Sequence, residues 1–239
     1  MYVGIDVGGT KTLIAVLNYD GVIEEKIKIP TNKDYSAFLD DLREARSQLK
    51  TREFAAGAIG IPVTLMDRRH DRAINFSNLP WRNVSITHDV ERIFHCPFVA
   101  ENDAKLAALS EAMLLKDKYS SVLYVTVSTG IGFGFVKDGK IDINVGDGGG
   151  RTLLLQHKDH ATPWEDFASG RAIYAKYGKM AKDLNDESAW RVISRNLAKG
   201  FIQESKSLAS ALILFAPKKD SSLYLYINYR GLNAITIKN

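Results

Sequence analysis

The sequence predicts an α/β protein of two lobes, with mixed sheets, flanking helices and a cleft between the lobes. Two observations predict it. Residues 2–29 form a pattern of three short strands joined by tight turns, and residues 121–143 repeat the order strand, Gly-rich turn, strand, turn, strand. Helical patterns follow both copies. Mixed sheets covered by helices are the architecture that this alternation favours.

The first copy and the segments after it justify this class element by element. Strands are predicted where apolar residues alternate, and helices where apolar residues recur every three to four positions. The predicted elements are strands at 2–6, 12–18 and 22–29, a helix at 34–49, a buried strand at 54–62, a loop rich in Arg, Asp and His at 66–73, a helix near 88–95, a short strand at 96–102 and a helix at 102–116.

Composition and charge limit the classes of function. The chain has 239 residues, a formal net charge of +4 and a single cysteine, Cys96, which excludes an intrachain disulfide and favours a reduced, cytoplasmic setting. Neither a signal peptide nor a membrane-spanning run is visible. Residues 194–239 carry seven Lys/Arg and two Asp/Glu, so the remainder is close to neutral and shows no basic stripe. We therefore expect no membrane and no specific nucleic-acid partner.

The first Gly-rich turn follows the first strand in GIDVGGTKT, residues 4–12. Glycines let backbone N–H groups converge on an anion, because no Cβ blocks the approach and positive φ is accessible. The hydroxyls of Thr10 and Thr12 and the charge of Lys11 add to this chemistry. Asp6, at the end of the strand, is placed to hold a phosphate-bound Mg²⁺ through water.

The second Gly-rich turn, STGIGFG at 128–134, offers the same chemistry through Ser128, Thr129 and Gly130. Two such hairpins from opposite lobes are suited to grip a polyphosphate. Ordinary hairpins remain the alternative, since Gly-rich turns are common. Neither segment matches a P-loop or a GxGxxG fingerprint.

A carboxylate suited to proton transfer occurs in AENDAKLAAL, where a strand passes into a helix. Phosphoryl transfer to a hydroxyl requires a carboxylate that takes the proton. Asp103 lies near the helix N-terminus, where the helix dipole favours its anionic form. The alternative is that Asn102 or Asp103 only caps the helix, and the residues alone leave both readings open.

Five motifs resemble the ROK family in their order along the chain: GIDVGGTKT at 4–12, NLPW at 78–81, ENDA at 101–104, VSTGIGFG at 127–134 and WEDFASGRA at 164–172. That family groups sugar kinases with sugar-responsive repressors. The resemblance covers roughly residues 1–195. It implies an actin-like, RNase-H-like ATPase fold and ATP-dependent phosphorylation of a hexose such as glucose.

The resemblance also implies roles for individual residues. Asp103 is expected to be the general base and Asn102 a ligand of a sugar hydroxyl, while Gly60 and Asn78 border the sugar. ATP and Mg²⁺ are the expected cofactors. The residues expected to bind them are Asp6, Gly8, Gly9, Thr10, Lys11, Thr12, Thr129 and Gly130.

One stretch, GDGGGRTLLLQHKDHATPWEDFASG, departs from the family pattern. Asp147 falls where the sugar-binding Glu is expected, and Gly150 falls where a His is expected. The three zinc cysteines of the family are absent, so no structural zinc is expected. Glu165 matches the second sugar-contacting Glu. Shortening Glu to Asp and losing the His bear on hexose affinity, because each lost hydrogen bond could cost about 1 kcal/mol.

The last segment resembles another class of protein. FAPKKD, NYRGLN and ITIKN are similar to the start of reverse transcriptases of Ty3/gypsy-type retrotransposons. The expected organisation is therefore an N-terminal ROK lobe at 1–116, a truncated C-terminal ROK lobe at 117–195 and a foreign tail at 196–239. The alternative is a divergent kinase C-terminus.

The leading interpretation is a glucokinase-like enzyme whose partners are a hexose and ATP, with a homodimer left open. A second is a catalytically impaired remnant that binds sugar weakly or not at all. A repressor role would need a helix-turn-helix ahead of the first strand. Nucleic-acid binding through the basic tail would weaken steeply with salt.

Overall fold

The computed structural model describes residues 1–200 and the backbone of two further strands, at 212–217 and 223–228. The predicted tail at 196–239 therefore lies largely outside the described residues. The chain divides into two compact units, an N-terminal unit of Met1–Leu106 and a C-terminal unit of Ala107–Asn239. This division lies ten residues before the predicted lobe boundary, within the helix that starts at Asp103.

The N-terminal unit is built on a five-stranded mixed sheet. Its elements are β1 (Tyr2–Val7), β2 (Lys11–Leu17), β3 (Ile23–Pro30), α1 (Tyr35–Gln48), β4 (Ala56–Ile61), β5 (Val63–Asp67), β6 (Arg72–Phe76), β7 (Arg82–Val84), α2 (Ile86–Phe94), β8 (Phe98–Asn102) and the start of α3 (Asp103–Leu115). The sheet has the order β3-β2-β1-β4-β8, and β5, β6 and β7 form a second sheet. The pairs β1–β4 and β4–β8 are parallel.

Alternation explains how β1 is placed. Val3, Ile5 and Val7 are buried, whereas Asp6 between them is exposed. Successive side chains of a strand point to opposite faces, so one face of β1 joins the core and the other carries the acid. The core of this unit is formed mainly by the sheet strands together with α1 and α2.

One predicted element is wrong. The segment 66–73 was expected to be a loop, but it belongs to an antiparallel hairpin: β5 and β6 include 66–67 and 72–73, and only 68–71 form the turn. The charged residues belong to the turn: the carboxylate of Asp67 accepts the backbone N–H groups of Arg69 and His70 at 3.1 and 3.3 Å, and Asp71 has a φ of 49°. The charged residues of this segment therefore do not indicate an irregular loop, because the carboxylate of Asp67 stabilises a tight turn.

The C-terminal unit begins within α3. Its further elements are β9 (Ser121–Val127), β10 (Ile131–Lys137), β11 (Lys140–Ile141), β12 (Leu154–His157), β13 (His160–Pro163), α4 (Trp164–Ala168), α5 (Gly170–Tyr177), α6 (Glu187–Ala198), β14 (Leu212–Pro217) and β15 (Leu223–Asn228), with single 3₁₀ turns at Gly149–Arg151 and Ala181–Asp183. The predicted restart of the strand pattern at 121 is confirmed, since β9, β10 and β11 form an antiparallel sheet.

A buried tryptophan organises the core beside this sheet. Trp164 packs with Val125, Ile131 and Ala168, and its Nε1 donates to the backbone carbonyl of Asn196 at 3.1 Å. The start of α4 is thereby fixed against β9 and β10. In the part of the chain that the structure describes, every helix is too short or too polar to cross a bilayer.

Candidate active site

The carboxyl ends of three parallel strands bring predicted site residues together in the N-terminal unit. The register aligns Asp6 of β1 with Gly60 of β4, and Gly60 with Glu101 of β8. Immediately after Glu101 the chain passes through Asn102 into α3 at Asp103. Ligands of open α/β sheets commonly bind at this edge, so the topology itself indicates the site.

Two acidic side chains at this edge influence each other. Asp103 and Asp6 are both exposed, yet the protein around them removes part of their hydration. Desolvation raises the pKa of Asp103, the charge of Asp6 raises it further, and the Ala104 N–H, 2.8 Å from Oδ1, partly opposes this. Desolvation likewise raises the pKa of Asp6. A carboxylate with a raised pKa is a better proton acceptor than an ordinary aspartate.

Gly60 packs against the first turn of α3, which begins at Asp103. A Cβ on Gly60 would lie 3.3 Å from Leu106 Cδ1 and 3.8 Å from the Cα of Asp103. Any larger side chain at this position would therefore press on the first turn of α3. This close packing accounts for a glycine at the end of a buried strand.

Asn102 caps α3. Its Oδ1 accepts the N–H groups of Ala104 and Lys105 at 3.0 and 3.2 Å, and its Nδ2 donates to the carbonyl of Val63 at 2.8 Å. The capping role that the sequence left open thus belongs to Asn102, while Asp103 keeps an exposed carboxylate. Its predicted contact with a sugar hydroxyl stays a prediction.

An ion pair that sequence reasoning missed supports this corner. Glu101 is buried, and its carboxylate accepts hydrogen bonds from Arg68 Nη1 at 2.8 Å and Nη2 at 3.0 Å. The same carboxylate also accepts the backbone N–H of Asn102 at 2.7 Å. Bidentate Arg–carboxylate pairs are geometrically specific. The pair fixes the end of β8 directly before Asp103.

The first turn, residues 8–10, leaves backbone donors available among residues 1–200. Two of its carbonyl groups accept hydrogen bonds: Gly9 O from Lys33 Nζ, and Thr10 O from the N–H of Thr31 at 3.0 Å. The carbonyl of Lys11, which follows the turn, accepts the N–H of Gly8 at 2.9 Å. Within residues 1–200, the N–H groups of Gly9 and Thr10 have no acceptor. Free donors with engaged acceptors are the chemistry that an anion requires.

The glycines of this turn are required for close approach. Neither Gly8 nor Gly9 has a positive φ, so access to positive φ does not explain why this turn contains glycine. A Cβ on Gly9 would instead lie 2.9 Å from the Cβ of Asn78, which is exposed beside the turn. Asn78 and the first turn are thus neighbours.

Thr10 and Lys11 are exposed, whereas Thr12 is buried and its hydroxyl lies 2.9 Å from that of Thr31. The structure therefore places the side chain of Thr12 in the core beneath the turn. In this position its hydroxyl fixes the start of β2 against Thr31 and is directed away from the surface that Thr10 and Lys11 share.

The second turn, residues 128–130 of the C-terminal unit, has the same arrangement. The N–H groups of Gly170 and Arg171 donate to the carbonyls of Ser128 and Thr129 at 2.8 and 3.2 Å, and the N–H of Ser128 donates to Gly130 O at 2.8 Å. The N–H groups of Thr129 and Gly130 have no acceptor among the described residues.

Glu165 and Asp147 occupy different settings in the same unit. Glu165 is buried, and its carboxylate is bonded to the N–H of Ile131 and to two arginines, Arg151 and Arg171. Asp147 is half-buried, and its backbone carbonyl accepts the hydroxyl of Thr152 at 2.8 Å. The predicted sugar contacts of both acids stay predictions.

Gly150 is buried, and a Cβ there would lie 2.9 Å from the Cβ of Ile131 and 3.2 Å from the N of Glu165. The position expected to hold a His therefore has no room for a side chain. In residues 1–200, three or more His, Cys, Asp or Glu side chains never gather closely enough to hold a metal ion. The carboxylates of Asp6 and Asp103 supply hard oxygen donors of the kind Mg²⁺ prefers.

Comparison of the sequence with known proteins identifies a family and several similar kinases. The model of the ROK family matches residues 2–218, so the match continues past residue 195 into the segment expected to be foreign. The N-acetylmannosamine kinase of Escherichia coli O127:H6 is 32% identical over 216 residues, which cover 80% of this chain and 73% of that protein. The glucokinase of Streptomyces coelicolor is 29% identical over 197 residues, covering 78% and 62%.

Among solved structures, a ROK family glucokinase from Streptomyces griseus in complex with glucose and AMPPNP matches with a TM-score of 0.60 and 25% identity, covering 73% of this chain and 59% of that one. The chain thus spans less than two thirds of each of these two glucokinases. The predicted α/β class and actin-like ATPase fold are confirmed. With the family model matching most of its length, the chain belongs to the ROK family.

Proposed function

We propose that the chain transfers the γ-phosphoryl group of ATP to a hydroxyl group of a hexose, with Asp103 as general base. The observation that carries this proposal is the position of Asp103. Its exposed carboxylate, with a raised pKa, follows the end of β8 and lies near Asp6 at the carboxyl edge of the parallel strands.

The proposed reaction needs a group that accepts the hydroxyl proton and groups that stabilise the charge of the transferred phosphoryl group. The hexose hydroxyl oxygen forms a bond to the γ-phosphorus as the bond from that phosphorus to the β–γ bridging oxygen breaks, and ADP leaves. The hydroxyl proton passes to the carboxylate of Asp103. Positioning and charge stabilisation supply most of the rate in such transfers, so the fixed end of β8 matters as much as the base.

The nucleotide phosphates are assigned to the turn donors. In the proposal, Gly8, Gly9, Thr10 and Lys11 contact them at the first turn, and Thr12 shapes that turn from below. Thr129 and Gly130 contribute through their backbone N–H groups, which have no acceptor in the part of the chain that the structure describes. Asp6 would hold Mg²⁺, which when bound neutralises phosphate charge.

The sugar is assigned to Asn102, Gly60, Asn78, Asp147 and Glu165. The named relatives include a glucokinase and an N-acetylmannosamine kinase, so a neutral hexose or a 2-acetamido hexose is the substrate class to test. Asn102 has its carboxamide oxygen engaged with the first turn of α3 and one amide hydrogen with the carbonyl of Val63, so the second hydrogen on its Nδ2 is the group we expect to donate to a hydroxyl oxygen.

The test is ADP release from ATP and Mg²⁺ with a panel of hexoses, comparing wild type with Asp103→Asn. Loss of a general base typically lowers kcat by 10²–10⁴-fold. The matched control is Asp20→Asn, an exposed aspartate in the β2–β3 turn, which is expected to keep wild-type activity.

Asp103→Asn is expected to remain folded. A raised pKa means that the folded protein holds the proton of Asp103 more tightly than the unfolded chain does. Ionisation above the unfolded pKa therefore costs folding free energy, and neutral Asn avoids this cost. Equal turnover of wild type and Asp103→Asn, or sugar and ATP binding without any turnover, would contradict the proposal and favour a binding-only protein.

A further inference from the structure

The carboxylate of Glu165 joins two exposed arginines to the second turn. Its Oε2 accepts the N–H of Ile131 at 2.9 Å, and its Oε1 accepts hydrogen bonds from Arg151 Nε at 2.9 Å and Arg171 Nη2 at 2.7 Å. Ile131 is the first residue of β10, directly after the turn. One buried carboxylate therefore fixes both guanidinium groups beside the second turn.

Both arginines keep most of their donors. The side chain of Arg151 is 43% exposed and that of Arg171 is 56% exposed. A guanidinium carries five N–H donors, and each of these two uses one nitrogen on Glu165. Within residues 1–200 neither guanidinium has a second partner. Two cations that share one carboxylate also leave an excess of positive charge.

The backbone of the second turn adds donors to the same region. The carbonyls of Ser128 and Thr129 are engaged by the N–H groups at the start of α5, the helix that carries Arg171. The N–H groups of Thr129 and Gly130 are left without an acceptor there. The turn therefore offers donors and exposed hydroxyls, with its acceptors occupied.

We infer that Arg151 and Arg171 form, with the second turn, a binding site for a phosphoryl group. Guanidinium groups match the geometry of phosphate oxygens and bind them through charge-assisted hydrogen bonds. The phosphoryl group belongs to ATP or to a phosphorylated hexose, which share this chemistry. In naming these two sources the inference rests on the proposed function.

Glu165 acts in this site as a positioning residue. Because it holds both arginines before any ligand binds, less side-chain freedom is lost on binding. A cluster that only stabilises the fold would leave anion affinity unchanged when one arginine is removed. A binding role and a purely structural role of the arginines therefore differ in the anion affinity of the variants.

The experiment is isothermal titration calorimetry of the full chain with two probes, inorganic tripolyphosphate and glucose 6-phosphate. The variants are Arg151→Met and Arg171→Met, each of which leaves Glu165 bonded to the other arginine and to Ile131. Arg191→Met is the matched control, because Arg191 pairs with Glu187 at 2.7 Å on an exposed helix face. Arg151→Lys keeps the charge and is expected to retain most of the affinity. Thermal melts verify folding.

Each methionine variant is expected to weaken binding of one probe about tenfold, equivalent to ~1.4 kcal/mol, and to reduce its salt dependence. If the methionine variants lose affinity for tripolyphosphate, the site belongs to the nucleotide. If they lose affinity for glucose 6-phosphate, the site belongs to the phosphorylated sugar. The inference is overturned if wild type binds neither probe, or if both variants bind as tightly as Arg191→Met. A chain that shows these losses but phosphorylates no hexose supports the inference and contradicts the proposed function.

Discussion

Replacing Glu165 by Ala tests how strongly the buried carboxylate stabilises the C-terminal unit. The change removes three hydrogen bonds, to the N–H of Ile131 and to Arg151 and Arg171. Ile131 is buried, so its N–H would lose its acceptor with little access to water.

The magnitude follows from these surroundings. An unsatisfied buried N–H costs about 1–3 kcal/mol. The two ion pairs involve arginines that are 43% and 56% exposed, so solvent screens them and each contributes roughly 0.2–1 kcal/mol. The expected loss is about 2–4 kcal/mol in total, which for a domain of this size lowers Tm by roughly 5–15 °C.

The assay is thermal unfolding followed by circular dichroism, with Glu187→Ala as the matched control. Glu187 pairs with Arg191 at 2.7 Å, but its side chain is 82% exposed, so its removal should change Tm by no more than a few degrees. A Tm for Glu165→Ala that equals the Tm of Glu187→Ala would refute the reasoning that burial gives this cluster its strength.

Three other predictions concern the turns and the base. Lys33→Met should raise the KM for ATP severalfold, measured by steady-state kinetics, because the Lys33 ammonium occupies the carbonyl of Gly9 in the first turn and also holds the carbonyl of Asn78 at 3.2 Å. Gly149→Ala should destabilise far more than Gly139→Ala in urea denaturation: both glycines have positive φ, but a Cβ on Gly149 would lie 2.2 Å from a backbone oxygen and one on Gly139 meets nothing within 4 Å. The kcat/KM should fall as pH decreases through the pKa of Asp103, and the inflection should lie above the ordinary aspartate value of about 3.9, because that pKa is raised.

Local patterns predicted most of the described fold. The alternation in β1 and the turn residues at 19–21 indicated the first hairpins, and the apolar spacing after residue 102 indicated α3, which runs from Asp103 to Leu115. These features depend on neighbours in the sequence. The hairpin at 63–76 was missed because its turn is stabilised by Asp67, a residue type that also occurs in irregular loops.

The supporting contacts of the site were not predictable in the same way. Arg68 and Glu101 are 33 positions apart, and Arg151 and Glu165 are 14 apart, so no local period marks them as partners. Folding brings them together through strand register and helix placement. The sequence nevertheless contained one signal: an acid at the end of a buried strand, as in AEN, commonly needs a basic partner.

The most direct test of the central claim follows the phosphoryl group itself. ATP carrying a radioactive label on its γ-phosphoryl group is mixed with the best hexose of the panel, and the sugar is separated and counted. Wild type is expected to transfer the label to the sugar, and folded Asp103→Asn, which still binds ATP, is expected to transfer it at least a hundredfold more slowly. Labelled sugar formed at the same rate by both proteins would show that Asp103 is not the base.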